Sequence, residues 1–324
     1  MPNDSVLEMA RLVDPNVRSE DVTPLTGGFS SQAYKINHPE RPFVLLTARP
    51  GGVSNTNYGH AFVVLKILES RSYPYAPKPL WLKGDKMAIA LEYFKGKTSD
   101  AYDFVGQRVD PLTQSFRVIE ALLDTHDITR DTYEATARSY NLEPLATETA
   151  IDAANIYGKS WFEVVRTSCP DRDIVVWLEP RLERSYGLAQ ELSKQLPIFS
   201  HGDPSNPNIL IAEDGTFKLI DWESSRFQTV WAEYLIAYTT NLTDFMKPYR
   251  KEVIDHVASR IGISGAELTT KVDTYRKFAE IFDVNWAAMM MAKVVNGTAQ
   301  GDASHFRDIA RERMQRYDAL FPLS

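Results

Sequence analysis

The stretch His201-Gly202-Asp203-Pro204-Ser205-Asn206-Pro207-Asn208-Ile209-Leu210, with Leu219-Ile220-Asp221-Trp222-Glu223 just downstream, decides how the rest of the chain is read. Between them, Ile209-Leu210-Ile211 and Phe217-Lys218-Leu219-Ile220 are short apolar runs separated by Glu213-Asp214-Gly215-Thr216, which is a hairpin signal. Asn208 opens that hairpin and Asp221 closes it, so their side chains are predicted to meet at its open end, with Asp203 close by. Three oxygen-bearing side chains in one place suit magnesium. This hard ion keeps several waters and takes one or two carboxylate or amide oxygens besides the phosphates of a nucleotide. On this reading Asn208 and Asp221 hold the metal, and Asp203 is left to orient a hydroxyl and accept its proton, as phosphoryl transfer requires. Pro204 and Pro207 stiffen the loop between them. The bland alternative makes Asp203-Pro204-Ser205 a turn or helix cap; Asp214-Gly215 is read only as the turn that closes the hairpin.

Upstream, apolar periodicity points to strands around one helix. Asp21 to Asn37 reads as strand, glycine turn at Gly27-Gly28, strand, and Phe43-Val44-Leu45-Leu46-Thr47 as a third strand stopped by Pro50-Gly51-Gly52. From Tyr58 to Ser70, Ala61, Val64, Leu65 and Leu68 recur at the spacing of one helical face. Leu80 to Leu82 and Met87 to Leu91 flank the turn Lys83-Gly84-Asp85-Lys86 as two further strands. Beyond about Thr98 the period becomes helical: a stripe at Phe116, Ile119, Leu122 and Leu123, then Ile151 to Val165, Leu182 to Leu196, and Val230 to Tyr317, interrupted only by the hairpin. The expected architecture is α+β, with a small strand-rich lobe over residues 1–94 and a larger, mainly helical lobe over 95–324.

Composition removes several classes of function. A chain of 324 residues with 44% apolar and 24% charged residues has the profile of an ordinary globular protein large enough for two packed domains. A net charge of −7 argues against a surface built to neutralise nucleic-acid phosphates or anionic lipid. The single cysteine, Cys169, cannot form an internal disulfide, and no Cys/His cluster has zinc-site spacing. No apolar run approaches the ~20 residues of a membrane span, and Met1 to Asp14 lacks the pattern of a signal peptide. A cytoplasmic protein with neither nucleic acid nor membrane as partner is therefore expected. Oligomeric state is not legible.

His-Gly-Asp, four residues, Asn, an aliphatic pair and then Ile-Asp-Trp-Glu resemble the paired motifs of the aminoglycoside phosphotransferase and choline kinase family. The match keeps chain order. Leu25-Thr26-Gly27-Gly28-Phe29-Ser30 resembles that family's nucleotide-covering loop, Ala90-Leu91-Glu92-Tyr93-Phe94-Lys95-Gly96 its hinge against the adenine, and Trp231-Ala232-Glu233-Tyr234 the start of a later helix. The resemblance spans roughly residues 20 to 240. It implies a protein-kinase-like bilobal fold, with an antiparallel sheet in the small N-lobe. It also implies ATP or GTP as co-substrate, Mg2+ as cofactor and a small-molecule hydroxyl as acceptor. Asp203 becomes the catalytic base, Asn208 and Asp221 the metal ligands, and His201 a support for the loop. Gly27, Gly28, Phe29, Ser30, Glu92, Tyr93 and Phe94 become nucleotide contacts.

Two positions depart from that pattern. Kinase-like enzymes carry a lysine on the third strand, paired with a glutamate on the next helix. Here Leu46 or Thr47 and His60 or Ala61 stand at those sites. Both halves of the pair are missing together, as expected if a buried lysine without its carboxylate is unfavourable. Arg49 is the nearest cation and a candidate for the phosphates. In the helical lobe, Glu233, Asp283 and Trp286 are the acceptor-site candidates, the last two one helical turn apart. The competing reading makes Trp286, Met289 and Met290 core residues. The missing pair also motivates a second functional reading, a nucleotide-binding pseudokinase that serves as an interaction module.

Overall fold

Strand β3 (Phe43–Ala48) alternates buried and half-buried residues along its length, the signature of a strand covered more heavily on one side. It pairs antiparallel with β2 (Ser31–Ile36) and β5 (Ala88–Glu92), which in turn pair with β1 (Val22–Leu25) and β4 (Pro79–Leu82). The sheet order is β1-β2-β3-β5-β4. Helix α1 (Asp4–Val13) buries Val6 and Ala10 in one cluster with Ile36, Phe43, Leu45, Ala88 and Ala90. The charges that make this opening segment look featureless in sequence lie on the helix's outer side. The computed structural model describes residues 4–25, 31–38, 41–48, 58–104, 109–144, 147–299 and 301–321, without the side chains of 241 and 242. Gly27, Gly28, Phe29, Ser30 and Arg49 lie outside the described residues.

Helix α2 (Tyr58–Ser70) has the predicted bounds but not the predicted single apolar face: Phe62, Val63 and Ile67 are buried along with the Ala61, Val64, Leu65 and Leu68 stripe. It is covered on several sides, meeting β4, β5, α4 (Arg130–Ser139) and the turn Trp222–Ser224. Such surroundings erase amphipathic periodicity. Strand β6 (Lys97–Thr98) and α3 (Pro111–Asp124) follow, the latter capped by Asp110, whose carboxylate accepts from Thr113 N–H at 2.7 Å. Strand β7 (Ile198–Ser200) leads into the His201–Asn208 loop, the hairpin β8 (Ile209–Ile211) and β9 (Phe217–Leu219) forms as predicted, and β10 (Arg226–Gln228) leaves it. Strand β6 adds to the β8 edge.

By contacts, one compact unit comprises Met1–Leu145, Phe199–Arg226 and Leu242–Pro248, and a second comprises Ala146–Ile198, Phe227–Asn241 and Tyr249–Ser324. The second unit is helical. The predicted helix Ile151 to Val165 resolves into α5 (Ala150–Ala153), a π-helical stretch over Ala154–Ser160 and α6 (Trp161–Ser168). The helix expected over Leu182 to Leu196 is α7 (Arg172–Leu192), which starts ten residues earlier and runs through Pro180. Proline removes one intrahelical hydrogen bond and ordinarily ends a helix. Here burial of Ile174, Val175, Leu178, Leu182 and Ala189 outweighs that loss, while Leu196 is left exposed beyond the end. The remaining helices are α8 (Trp231–Leu242), α9 (Arg250–Ile261), α10 (Gly265–Val295) and α11 (Ala303–Leu320). Met289 and Met290 are core residues, as one of the two readings had it. Among the described residues no helix is long and apolar enough to cross a membrane.

Candidate active site

The hairpin register, Ile209 opposite Leu219 and Ile211 opposite Phe217, continues past the strands: Ile220 N–H donates to the Asn208 carbonyl at 2.9 Å. Asp221 therefore leaves the hairpin directly beside Asn208. Asn208 also reaches back, its Nδ2 donating to Asp203 Oδ2 at 2.9 Å and to the Asp203 carbonyl at 3.0 Å. With the amide nitrogen committed to Asp203, the Asn208 Oδ1 oxygen is the atom chemically suited to a cation. Asp203, Asn208 and Asp221 thus converge through two main-chain-anchored links, as their spacing predicts.

The loop between Asp203 and Asn208 is held from outside. Asn206 Oδ1 accepts from Ser99 Oγ at 2.9 Å and from Asp244 N–H at 3.0 Å, and its Nδ2 donates to Asp244 Oδ2 at 2.9 Å. Thr243 Oγ1 adds a bond to the Pro204 carbonyl. Sequence reasoning missed this brace, because Ser99 and Asp244 carry no local pattern. His201 is buried against the Trp222 ring, with ring centroids 4.4 Å apart, and its Nδ1 accepts from Asp203 N–H at 3.3 Å. Burial pushes its pKa down to about 4, opposed by the Ile220 backbone, so it is a neutral prop for the loop.

Gly202 joins the two motifs. Its φ is +84°, and a Cβ there would stand 1.8 Å from the Ser224 carbonyl oxygen, so the His201–Asp203 turn lies directly on the turn after Asp221. Asp221 itself adopts the left-handed conformation, φ 65° and ψ 51°, which Asp tolerates better than most residues. Trp222 Nε1 donates to the Leu219 carbonyl at 2.8 Å and locks the turn from one side.

Both carboxylates hold their protons more tightly than a free Asp. Asp221 is open to solvent yet ringed by protein, and its pKa is pushed up to about 6, first by those surroundings and then by the Asp203 charge; a hydrogen bond with Glu223 works the other way. Burial also raises Asp203, against its hydrogen bonds with Ser205 and Asn208 and the charge of Arg226. Two carboxylates that resist ionising side by side form a site a divalent cation would relieve. An amide oxygen and a carboxylate are the hard donors magnesium takes. Among the described residues no group of three or more His, Cys, Asp and Glu could hold a metal.

A family model described as the phosphotransferase enzyme family matches residues 21–270. The chain belongs to that family. Solved structures of the same fold include three kinases of small molecules. One is a spectinomycin phosphotransferase, APH(9)-Ia, bound to ADP and spectinomycin (13% identity, TM-score 0.63, all of both chains covered). Another is the gentamicin complex of APH(2")-IIa (15% identity, TM-score 0.66, all of this chain and 97% of that one). The third is choline kinase LicA from Streptococcus pneumoniae (15% identity, TM-score 0.63, 98% of each chain). At such identities the likeness shows the fold alone, which is protein-kinase-like. No curated protein matches the chain.

The other candidates in this phosphotransferase-family chain fall as follows. Glu92 uses its N–H on the Lys78 carbonyl at 2.9 Å, and the Tyr93 ring lies beneath Lys35 Nζ at 4.5 Å. Phe94 stands beside Gly96, where a Cβ would come within 2.8 Å of its ring. Tyr58, not anticipated, opens α2 with its hydroxyl donating to Ser31 Oγ at 2.8 Å, at the first residue after the glycine segment; burial raises its pKa, as do Glu223 and Asp221. In the second unit Glu233 is buried and its Oε1 accepts from Gln195 Nε2 at 2.9 Å. Asp283 and Trp286 do share a face, and it is the face toward α11: Asp283 pairs with Arg313 at 3.6 Å, and Trp286 meets the edge of Phe306 at 5.8 Å. Asn285, between them, is fully buried and donates to the Tyr157 and Gly158 carbonyls of the π-helical stretch, the second of which also accepts from Trp161 N–H.

Proposed function

We propose that this protein transfers the terminal phosphate of a nucleoside triphosphate, ATP or GTP, to a hydroxyl of a small molecule such as an antibiotic, an amino alcohol or a sugar. The observation that carries the reading is the hydrogen bonding of Asn208 to Asp203 at the open end of the hairpin, with Asp221 brought beside it by the bond from Ile220 to the Asn208 carbonyl. Asp203 orients the acceptor hydroxyl and takes its proton as the new O–P bond forms and the bond to the nucleoside diphosphate breaks. Asn208 and Asp221 hold Mg2+, which when bound offsets charge on the transferring group. Catalysis rests on positioning and electrostatics, without a covalent enzyme intermediate.

Residues 1–94 supply nucleotide contacts in this proposal, from Gly27, Gly28, Phe29, Ser30, Arg49, Glu92 and Tyr93, with Phe94 at the hinge. Residues 95–324 carry the catalytic loop and the acceptor site. Of the acceptor candidates, Glu233 is favoured over Asp283 and Trp286, since the latter two already serve the contact between α10 and α11. Replacement of Asp203 by Ala is expected to abolish nucleotide-dependent phosphorylation across a panel of hydroxyl acceptors while leaving the urea midpoint near the wild-type value. Retained turnover would end the assignment.

One observation favours the alternative of a silent nucleotide-binding module: Leu46 or Thr47, and His60 or Ala61, stand at the places of the expected ion pair. Calorimetric titration with Mg2+ and nucleotides, followed by the acceptor panel, separates the two. Binding without any turnover supports the module, and turnover removes it.

A further inference from the structure

His60 lies on the third residue of α2, half-buried, and both its ring nitrogens are engaged. Nε2 is 2.6 Å from the Ser225 carbonyl oxygen and 3.0 Å from Ser225 Oγ, and Nδ1 is 2.8 Å from the Tyr133 hydroxyl. A carbonyl oxygen only accepts, so the proton sits on Nε2 and Nδ1 accepts from the tyrosine O–H. This neutral relay ties α2 and α4 to the end of the turn that begins at Asp221. Ser225 is 2% exposed, so without His60 its carbonyl would lose this partner in a place water barely reaches.

The turn needs holding at both ends. Asp221 is in a left-handed conformation that a non-glycine residue keeps only where its surroundings over-determine it. The upstream end is fixed by the Trp222 indole on Leu219 and by Ile220 on Asn208. Downstream, Ser225 Oγ donates to the Trp222 carbonyl, and His60 ties the Ser225 carbonyl to α2.

We propose that His60 is a positioning residue, which sets the Asp221 carboxylate for the metal by hydrogen-bonding the Ser225 main chain. This rests on the functional reading above for the metal's role, though not for the positioning itself. The side chain at position 60 must therefore be a donor. Glutamine can supply an N–H at about the place of Nε2, leucine supplies none, and the carboxylate of glutamate would face a carbonyl oxygen.

The test uses the full chain with His60→Gln, His60→Leu and His60→Glu. In protein free of metal and nucleotide, hydrogen–deuterium exchange over residues 221–226 is expected to quicken about tenfold in the Leu and Glu variants and to stay near wild type in the Gln variant. In calorimetry, the gain in ADP affinity brought by Mg2+ is expected to fall about tenfold in the Leu and Glu variants, with ADP binding in the absence of metal unchanged and the Gln variant again near wild type. Wild-type exchange in the Leu and Glu variants, or a Gln variant as impaired as they are, overturns the positioning role. An equal loss of ADP affinity with and without Mg2+ also overturns it, in favour of a merely structural residue. Should the Leu variant not fold, the contrast between Gln and Glu carries the same decision. Wild-type protein that binds ADP no better with Mg2+ refutes the functional reading and the metal half of this inference, while the exchange data still judge the positioning.

Discussion

Replacing Gly202 by Ala adds one methyl group at the point where the His201–Asn208 loop lies on the Asp221 turn. The new Cβ would stand 1.8 Å from the Ser224 carbonyl oxygen and 2.4 Å from its carbon, so one of the two backbones must withdraw by more than about 1 Å to reach a separation real Cβ atoms show. Neither neighbour is a flexible side-chain end. A left-handed φ of +84° in a residue with a Cβ costs roughly 1–2 kcal/mol by itself. Moving Ser224 also strains the adjoining His60–Ser225 bond and the Asn208–Asp203 side of the contact, each worth about 1 kcal/mol. The expected destabilisation is about 3–4 kcal/mol, at the upper end for a single methyl group. It would be read as a fall in the urea midpoint with an unchanged slope.

A control separates clash from conformation. Gly262, the C-cap of α9, has φ +76° and nothing within 4 Å of its Cβ position. Gly262→Ala therefore meets the conformational penalty alone, about 1 kcal/mol, and leaves nucleotide-dependent turnover intact. Equal midpoints for the two alanine variants, or a Gly202→Ala protein with wild-type turnover, would refute the claim that the two loops are locked backbone to backbone.

Two further outcomes follow from buried groups. His60 is neutral in the fold with its pKa pushed down to about 4, chiefly by burial against the opposing Ser225 hydrogen bond, and titrates near 6.5 when unfolded. Its contribution is therefore complete above about pH 6.5 and is lost as pH falls toward 4, about 2 kcal/mol of it by pH 5. The buried carboxyl of Asp203, whose pKa is raised, works in the opposite direction over the acid range, so the comparison must be between proteins: urea midpoints at pH 7 and pH 5 should converge by that amount in His60→Gln relative to wild type, and an identical pH dependence would show that His60 does not titrate as assigned. In the second unit, Asn285→Leu removes the side-chain donor to the Tyr157 carbonyl and one of two donors to the Gly158 carbonyl, which keeps Trp161 N–H, and is expected to cost about 1–3 kcal/mol while leaving magnesium-dependent ADP affinity unchanged; stability within about 0.5 kcal/mol of wild type would sink that account of the π-helical stretch.

What the sequence made legible is what local chemistry decides. The β8–β9 hairpin is legible because Asp214-Gly215 demands a turn whatever surrounds it; Thr216 N–H bonds Asp214 Oδ1 at 2.9 Å, and Gly215 has φ +79°. That hairpin alone brings Asn208 to Asp221, so the heart of the candidate site could be derived from spacing. Helix α2 and the strands around it followed from short apolar runs. Other features depend on remote packing. The helix expected over Leu182 to Leu196 begins instead at Arg172 and runs through Pro180 because its buried face holds it, and the all-round burial of α2 comes from elements distant in sequence.

His60 shows why one inference from sequence stopped short. The absence of a glutamate at the expected place on α2 and of a lysine on β3 was legible as a coordinated loss, and the natural search was for another charged side chain to replace them. The partner found at His60 is instead a main-chain carbonyl 165 residues away. Every residue offers a main-chain carbonyl, so such a partner brings no covarying charge to look for. A charged pair announces itself twice in a sequence, once for each member. A side chain bonded to the backbone announces itself once, and in this chain that single mark, a histidine in a helix otherwise chosen for burial, acquires its meaning only from the turn it faces.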